Sequence, residues 1–233
     1  MSKRKKTKRI LKIVLRIFIL FVALTLIPVI IYTFIHPPVT PLMLIRRAEI
    51  KDTDRAAHIE HKWIPIEKMS SHLYNAAVAA EDDHFMTHFG FDFGAMKLAF
   101  ESNQEDGKRI KGGSTISQQT AKNVFLWPRR DYVRKGLEAW FTVLIELVWS
   151  KERIMEVYLN IVELGDGVFG VESASQKYFK KPASQLTKYE AAALIAVLPN
   201  PHIYKVLNPS AYTQRYKNAI VSRMSRMQKV NFN

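Results

Sequence analysis

The sequence predicts a mainly helical protein, with one transmembrane helix near the amino terminus and one globular domain outside the cytoplasm. An uncharged apolar run covers residues 17–35, apolar side chains recur at helical spacing in the later chain, and alternating strand patterns are scarce. We therefore expect a basic tail at residues 1–16, a transmembrane helix at 17–35, a linker at 36–43 and one globular domain at 44–233.

The apolar run has the length and flanks of an uncleaved membrane anchor. At 1.5 Å per residue it is about 28 Å long, which spans the hydrocarbon core of a bilayer. It continues into a proline-rich segment without the small-residue cleavage pattern of a secretory signal. Eight cations and no acid precede the run, whereas only Arg46 and Arg47 follow it closely, so the positive-inside rule places the amino terminus in the cytoplasm.

Charge and cysteine content narrow the class of partner. The net charge is +14, and about +6 remains once the eight cations of the tail are set aside. This dispersed excess suits an anionic substrate or lipid headgroups and does not indicate nucleic acid. The chain has no cysteine, which excludes disulfides, thiolate zinc sites and cysteine nucleophiles.

Capping residues precede four predicted helices of the domain. The first of these helices delivers Glu81 near its far end, and the second has apolar positions at helical spacing from Val133 to Val148. The polar segment 101–113 indicates a loop. The capping residues are Ser70 or Ser71, then Asp131, Ser150, and Thr187 with Glu190.

Glu81 is the first candidate catalytic residue. A lone glutamate at a helix end is ordinarily a solvated surface residue, but here Phe85, Phe89, Phe91 and Phe93 follow closely. An apolar shell of this kind would raise the pKa of a carboxyl group, as a general acid or base requires near neutral pH. The alternative is that these rings form core or a membrane-facing patch.

His84 and His88 are four residues apart, so they could share a helix face and bind a metal with Asp82 or Asp83. No glutamate follows His84 in the metalloprotease arrangement, and Gly90 indicates that the helix has ended. The sequence therefore favours a structural His88 whose ring donates to a nearby carbonyl or carboxylate, and we predict no metal ligands here.

A second cluster, after two glycines, contains hydroxyl and amide groups and one cation. It lacks the glycine spacing and the Gly-Lys-Ser end of a nucleotide-binding loop. Its groups suit sugar hydroxyls and a phosphate, and the alternative is an N-capped helix with outward polar residues. The candidates are Ser114, Thr115, Gln118, Gln119 and Lys122.

A third cluster places Arg130, Arg134 and Lys135 beside Glu138. Helical spacing puts Arg134, Lys135 and Glu138 along one face. A surface ion pair is the default explanation. The concentration of cations beside one acid instead favours a cradle for pyrophosphate, in which they stabilise charge developing on a leaving group.

In sequence order, these clusters resemble the motifs of the peptidoglycan glycosyltransferase family, which extends glycan chains from the lipid-linked disaccharide lipid II. The resemblance covers residues 79–201. Its motifs are Glu81-x-x-x-Phe85-x-x-His88-x-Gly90, then residues 113–123, then Arg134-Lys135-x-x-Glu138, then residues 151–160 with Gly165, and a fifth from Ser173 to Pro199. Lys180 stands where the fifth motif commonly has glycine.

The resemblance implies a lysozyme-like α+β fold and an inverting glycosyl transfer that releases undecaprenyl pyrophosphate. Glu81 would be the general base, and Glu138, the second family acid, would orient the cations or a bound divalent ion. Lys122, Arg130, Arg134 and Lys135 would hold the pyrophosphate. His88, Ser114, Thr115, Gln118 and Gln119 complete the implied substrate-binding set.

The resemblance also implies the setting of the enzyme. We expect no tightly bound cofactor, with Mg²⁺ or Mn²⁺ as a candidate aid at the pyrophosphate. Partners would be lipid II, the growing lipid-linked chain, membrane lipids, and proteins of division or elongation, at the periplasmic face of the inner membrane. The globular domain lacks the Ser-x-x-Lys of a transpeptidase, so we expect no such activity. The alternatives are a lytic glycan-cleaving enzyme of similar fold and a non-catalytic wall scaffold.

Overall fold

The chain divides into two compact units, Met1–His36 and Pro37–Asn233, in this computed structural model. The first unit contains helix α1 (Lys3–Phe34), which from Thr7 onwards is long and apolar enough to cross a membrane. It begins inside the predicted basic tail because lysine, arginine and leucine are good helix formers. The structure describes residues 3–51, 59–105, 113–129 and 131–232.

The described residues of the second unit are mainly helical with one small sheet, which confirms the predicted fold class. Its first helix begins at Pro41, within the segment predicted as a linker. Its helices are α2 (Pro41–Lys51), α3 (Ser71–Glu81), α4 (Phe93–Glu105), α5 (Ile116–Phe125), α6 (Tyr132–Val148), α7 (Lys151–Ile161), α8 (Val171–Phe179), α9 (Lys188–Ile195) and α10 (Ala211–Arg226).

In the part of the chain that the structure describes, the sheet contains three short strands, β1 (Glu60–His61), β2 (Glu163–Gly165) and β3 (Val168–Phe169). The central strand, β3, runs parallel to β1 and antiparallel to β2. Such short strands leave little alternating pattern in the sequence, so the sheet had no clear signal.

The helical core forms around α3 and α5. Leu73, Ala76 and Ala77 of α3 are fully buried, and the small alanine side chains allow α9 and α10 to pack closely. Helix α5 packs against both α6 and α7. This arrangement brings the end of α3 and one face of α5 to the same region.

Three of the predicted helix caps are confirmed. Asp131 accepts a hydrogen bond from the backbone of Arg134, Ser150 accepts one from Arg153, and the capping box of Thr187 is complete. Side-chain hydroxyls and carboxylates at this position satisfy backbone N–H groups that a helix leaves free.

Other local predictions were wrong. The hydroxyl of Ser70 does not cap α3 and instead donates to the carbonyl of Leu186 at 2.8 Å. Val133 is 70% exposed, although its spacing matches the buried apolar positions of α6. Helix α4 extends to Glu105 and so into the predicted loop, of which residues 106–112 lie outside the described part of the chain.

Candidate active site

Glu81 is the last residue of α3, and its carboxylate is half-buried. Gln119 of α5 donates its side-chain Nε2 to Oε2 of Glu81 at 2.8 Å. Burial raises the pKa of Glu81 above its ordinary value, while the Gln119 hydrogen bond and the charge of Lys122 oppose the rise and Asp82 adds to it. The group therefore has the raised pKa of a candidate base, as predicted.

Two of the four phenylalanines predicted to shield Glu81 are exposed, and a third packs against other side chains. Phe89 and Phe93 are 55% and 74% exposed, so they do not shield the carboxylate. Phe85 is fully buried but packs against the ring of His88 and the ammonium of Lys151. Helices α5, α7 and α10 supply the surroundings of Glu81 instead, because Gln119 bonds to it and the charge of Glu81 raises the pKa of both Tyr158 and Tyr216.

Asp82 joins the turn after α3 to the start of α5. Its Oδ2 accepts the backbone N–H of Ile116 at 2.9 Å, and its carboxylate contacts Nε2 of His88 at 2.8 Å. An anionic side chain is favourable at a helix amino terminus. The structural role predicted for His88 is therefore confirmed, whereas its side chain is buried and is not among the residues that line the cavity described below.

The two histidines bind different carboxylates, because Nδ1 of His84 lies 2.7 Å from Asp92 while His88 contacts Asp82. They do not share a ligand set for a metal. Among the described residues, the group with suitable spacing for a metal is Glu163, Asp166 and His202, outside the cavity lining. Arg46 already pairs with Glu163 at 3.2 Å.

Helix α5 begins with a complete capping box. Thr115 accepts the backbone N–H of Gln118, and the Gln118 side chain accepts the backbone N–H of Thr115 at 2.9 Å. The Thr115 hydroxyl also donates to the carbonyl of Gly90 at 2.7 Å. Gly90 has φ +79°, and a Cβ there would lie 2.7 Å from Thr142, so the turn that Thr115 holds requires glycine.

Replacing Thr115 with alanine is expected to lower the free energy of unfolding by about 0.5–2 kcal/mol and to lower kcat/KM, because α5 carries Gln119 and Lys122. Urea titration and steady-state kinetics measure the two effects. Thr187→Ala removes the capping box of α9, a helix that carries no cavity-lining residue, and is the matched control, expected to destabilise the protein with little change in kcat/KM. Equal kinetic effects of the two variants would contradict this role of Thr115.

A cavity of about 640 Å³ has lining residues on α5 and on the start of α6. It brings together most of the predicted substrate-binding residues and Glu138. Thr115 is buried and does not line it, and Arg130 lies outside the described residues. The lining comprises Ser114, Gln118, Gln119, Lys122, Pro128, Asp131, Tyr132, Arg134, Lys135 and Glu138.

Among the described residues, the cavity lining contains three cations and two carboxylates, Asp131 and Glu138. The buried Glu138 contacts Nη1 of Arg134 at 2.6 Å and Nζ of Lys135 at 2.5 Å, so the predicted ion pairs exist but are not a simple surface network. Lys122 has no hydrogen-bond or ion-pair partner among the described residues. Burial lowers the pKa of Lys122, Glu138 opposes that change, and Arg134 and Lys135 add to it. The excess positive charge suits a polyanionic group.

Sequence reasoning did not assign Tyr132, Asp131 or Tyr216 to the site. Tyr132 is 98% exposed at the cavity, and its spacing of three residues from Lys135 could have indicated a shared helix face. Asp131 was identified only as a cap. Tyr216, whose hydroxyl donates to the carbonyl of Ala80 at 3.4 Å, had no local signal because it lies on α10, far along the chain.

Residues 47–225 match the family model described as Transglycosylase. Similar curated proteins are named "Biosynthetic peptidoglycan transglycosylase". The protein from Caulobacter vibrioides is 52% identical over 209 residues, 89% of this chain and 88% of that one. The one from Bdellovibrio bacteriovorus is 47% identical over 95% of this chain and 88% of its own, and that from Pasteurella multocida is 45% identical over 96% and 95%. This chain therefore belongs to the transglycosylase family.

Proposed function

We propose that this chain polymerises lipid II into linear glycan strands of peptidoglycan by inverting glycosyl transfer. The observation that carries the proposal is that one helix, α5, contacts the candidate base with one residue and lines the anion cavity with others. Gln119 holds Glu81, and Lys122, three residues further along α5, lines the cavity with Arg134 and Lys135. Glycosyl transfer from a pyrophosphate needs both groups close together.

Glu81 removes the proton from the 4-hydroxyl of the acceptor GlcNAc. The resulting oxygen attacks the anomeric carbon of the donor MurNAc, and the bond from that carbon to the pyrophosphate oxygen breaks. The anomeric centre inverts to a β-1,4 link, the proton stays on Glu81, and undecaprenyl pyrophosphate leaves with the bond electrons. The raised pKa of Glu81 supports proton acceptance near neutral pH.

Lys122, Arg134 and Lys135 stabilise the charge that grows on the leaving pyrophosphate, together with Arg130. Glu138 orients Arg134 and Lys135, because its two carboxylate oxygens each contact one of them. Ser114, Gln118 and Gln119 position sugar and phosphate oxygens. Thr115 and His88 position α5 through the contacts described above.

The enzyme is anchored in the membrane and acts outside the cytoplasm. We infer that its amino terminus is cytoplasmic, from the cations before the span, and that the domain faces the periplasm at the inner membrane. Exposed apolar side chains on and before α4 support contact with membrane lipids: Met86, Phe89, Phe93, Leu98 and Phe100. Proteins of division or elongation are proposed partners, and nucleic acid is not.

A divalent cation, Mg²⁺ or Mn²⁺, is proposed to assist at the pyrophosphate without being tightly bound. Buried Glu138 supplies the oxygen ligands that such ions prefer, although both oxygens contact cations in this structure. Adding EDTA to the reaction tests this, with partial loss of rate that Mg²⁺ restores as the expected result. An unchanged rate would show that the reaction does not use a divalent cation.

The test of the function is incubation of the full chain in lipid vesicles with labelled lipid II. We expect long glycan strands that lysozyme digests, with release of undecaprenyl pyrophosphate. Shortening of preformed strands would favour a lytic enzyme, and neither reaction would favour a scaffold.

The raised pKa of Glu81 predicts the pH dependence of the reaction. A base acts when deprotonated, so kcat/KM should rise with pH through the pKa of the free enzyme. We expect this acid limb to have a midpoint above 4.5, the ordinary value for glutamate. A midpoint at or below 4.5 in initial-rate measurements would contradict the assignment.

A further inference from the structure

We propose that Tyr158 is a positioning residue for the reaction, holding the Gln119 amide in the orientation that donates to Glu81. The proposal rests on the function proposed above. It concerns a side chain that sequence reasoning placed only in the core of α7.

The three groups form a chain of directed hydrogen bonds across α7, α5 and α3. The hydroxyl of Tyr158 donates to Oε1 of Gln119 at 3.3 Å, and Nε2 of the same amide donates to Oε2 of Glu81 at 2.8 Å. Tyr158 is fully buried, so it does not contact substrate and acts through Gln119.

A glutamine amide can present either its oxygen or its NH₂ group to a neighbour. Ionised Glu81 accepts from NH₂, which favours the observed orientation. Protonated Glu81 has an O–H to donate, which would favour the flipped orientation with Oε1 towards Glu81. A hydrogen-bond donor on the side of the amide away from Glu81 opposes that flip, because this donor needs Oε1 as its acceptor.

Tyr158 is such a donor throughout the working pH range. Burial raises its pKa well above the ordinary value, and the charge of Glu81 adds to that rise. The hydroxyl therefore keeps its proton, so the amide favours the ionised form of Glu81 before and after each transfer.

The other ionisable groups near Glu81 come from each packed element. Asp82 follows it in the chain and raises its pKa, and Lys122 of α5 lowers it. On α10, Tyr216 has its pKa raised by burial and then by Glu81, and Arg223 donates to the carbonyl of Ala79 at 3.2 Å. The Tyr158 substitution changes none of these residues, so a shift in the pKa of Glu81 is assigned to the Gln119 amide.

The test is Tyr158→Phe, which removes the hydroxyl and retains the ring. We expect the acid limb of kcat/KM to move upwards by roughly half a unit to one unit, the equivalent of one hydrogen bond. Tyr178→Phe is the matched control. Its hydroxyl donates to the carbonyl of Leu164 at 3.4 Å, and its pKa is raised by burial and then by Glu60 and Asp166, with no contribution from Glu81. It should leave the limb in place.

A double-mutant cycle with Gln119→Leu separates positioning from packing. Gln119→Leu alone should move the midpoint of the acid limb to higher pH, and adding Tyr158→Phe should cause no further shift. Additive shifts, or an unmoved limb in Tyr158→Phe, would overturn the proposal. If Tyr158→Phe does not fold, fluorotyrosine can be incorporated at position 158 instead. Its hydroxyl is a stronger donor, so the midpoint of the acid limb should move to lower pH. No shift, or a shift to higher pH, would overturn the proposal.

Titration of the Glu81 carboxyl by ¹³C NMR distinguishes this proposal from the function on which it rests. A raised Glu81 pKa in Tyr158→Phe supports the positioning role even if wild-type protein makes no strands. Normal strand synthesis by the wild type, together with an unchanged Glu81 pKa in Tyr158→Phe, would refute the positioning role of Tyr158 and leave the proposed function intact.

Discussion

Replacing Glu81 with glutamine is expected to lower kcat/KM for strand synthesis by roughly 10²–10⁴-fold. The variant keeps the size of the side chain but cannot take the proton from the acceptor hydroxyl. Labelled lipid II, followed to strands and to released undecaprenyl pyrophosphate, measures the loss.

Glu156→Gln is the matched control. Burial also raises the pKa of Glu156, but this residue pairs with Arg153 at 2.6 Å and does not line the cavity. We expect kcat/KM to stay near the wild-type value. Full activity in Glu81→Gln, or equal losses in both variants, would contradict the assignment of Glu81 as base.

The thermal stability of Glu81→Gln distinguishes a loss of catalysis from a loss of the folded structure. A carboxyl whose pKa is raised by folding is neutral in both states at low pH and then ionises first in the unfolded chain, so stability falls as pH rises towards the folded pKa. Glu81→Gln removes this unfavourable term at neutral pH. Its melting temperature should therefore be no lower than that of wild type, and a large drop would assign the lost activity to unfolding.

Replacing Lys122 with methionine is the second large effect, an expected loss of roughly 10²–10³-fold in kcat. The ammonium lies in the cavity without a partner among the described residues, so it is available to the leaving pyrophosphate. Lys122 also lowers the pKa of Glu81, and the acid limb should consequently move to higher pH.

Lys177→Met is the control for Lys122→Met. Lys177 is a helical lysine that pairs with Glu60 at 2.7 Å, outside the cavity. We expect it to change neither kcat nor the acid limb. If the acid limb of Lys122→Met stays at the wild-type pH, Lys122 does not lower the pKa of Glu81, which would contradict the electrostatic contact between them. An unchanged kcat would show that Lys122 does not stabilise the leaving group.

Local signals in the sequence predicted the helix starts and much of the site. The caps at Asp131 and Ser150 depend on backbone groups three residues away, so they are legible in sequence. Lys122 and Glu138 were identified because each lies in a compact cluster, although their shared cavity depends on how α5 packs against α6.

The surroundings of Glu81 were not predictable in the same way. Of the phenylalanines that follow α3, Phe89 and Phe93 are 55% and 74% exposed. Tyr158 and Tyr216 come from α7 and α10, so their proximity to Glu81 depends on tertiary packing. The capping box of Thr115 and Gln118 has a recognisable spacing, yet these side chains were predicted as ligands because hydroxyl and amide groups suit both roles.

The most direct test of the account is a ¹³C NMR titration of the Glu81 carboxyl, assigned by comparison with Glu81→Gln, beside the pH profile of kcat/KM. We predict a Glu81 pKa above 4.5 that coincides with the midpoint of the acid limb. A Glu81 pKa at or below 4.5, or an acid limb that follows another group, would contradict the claim that Glu81 is the base beside the cation cavity.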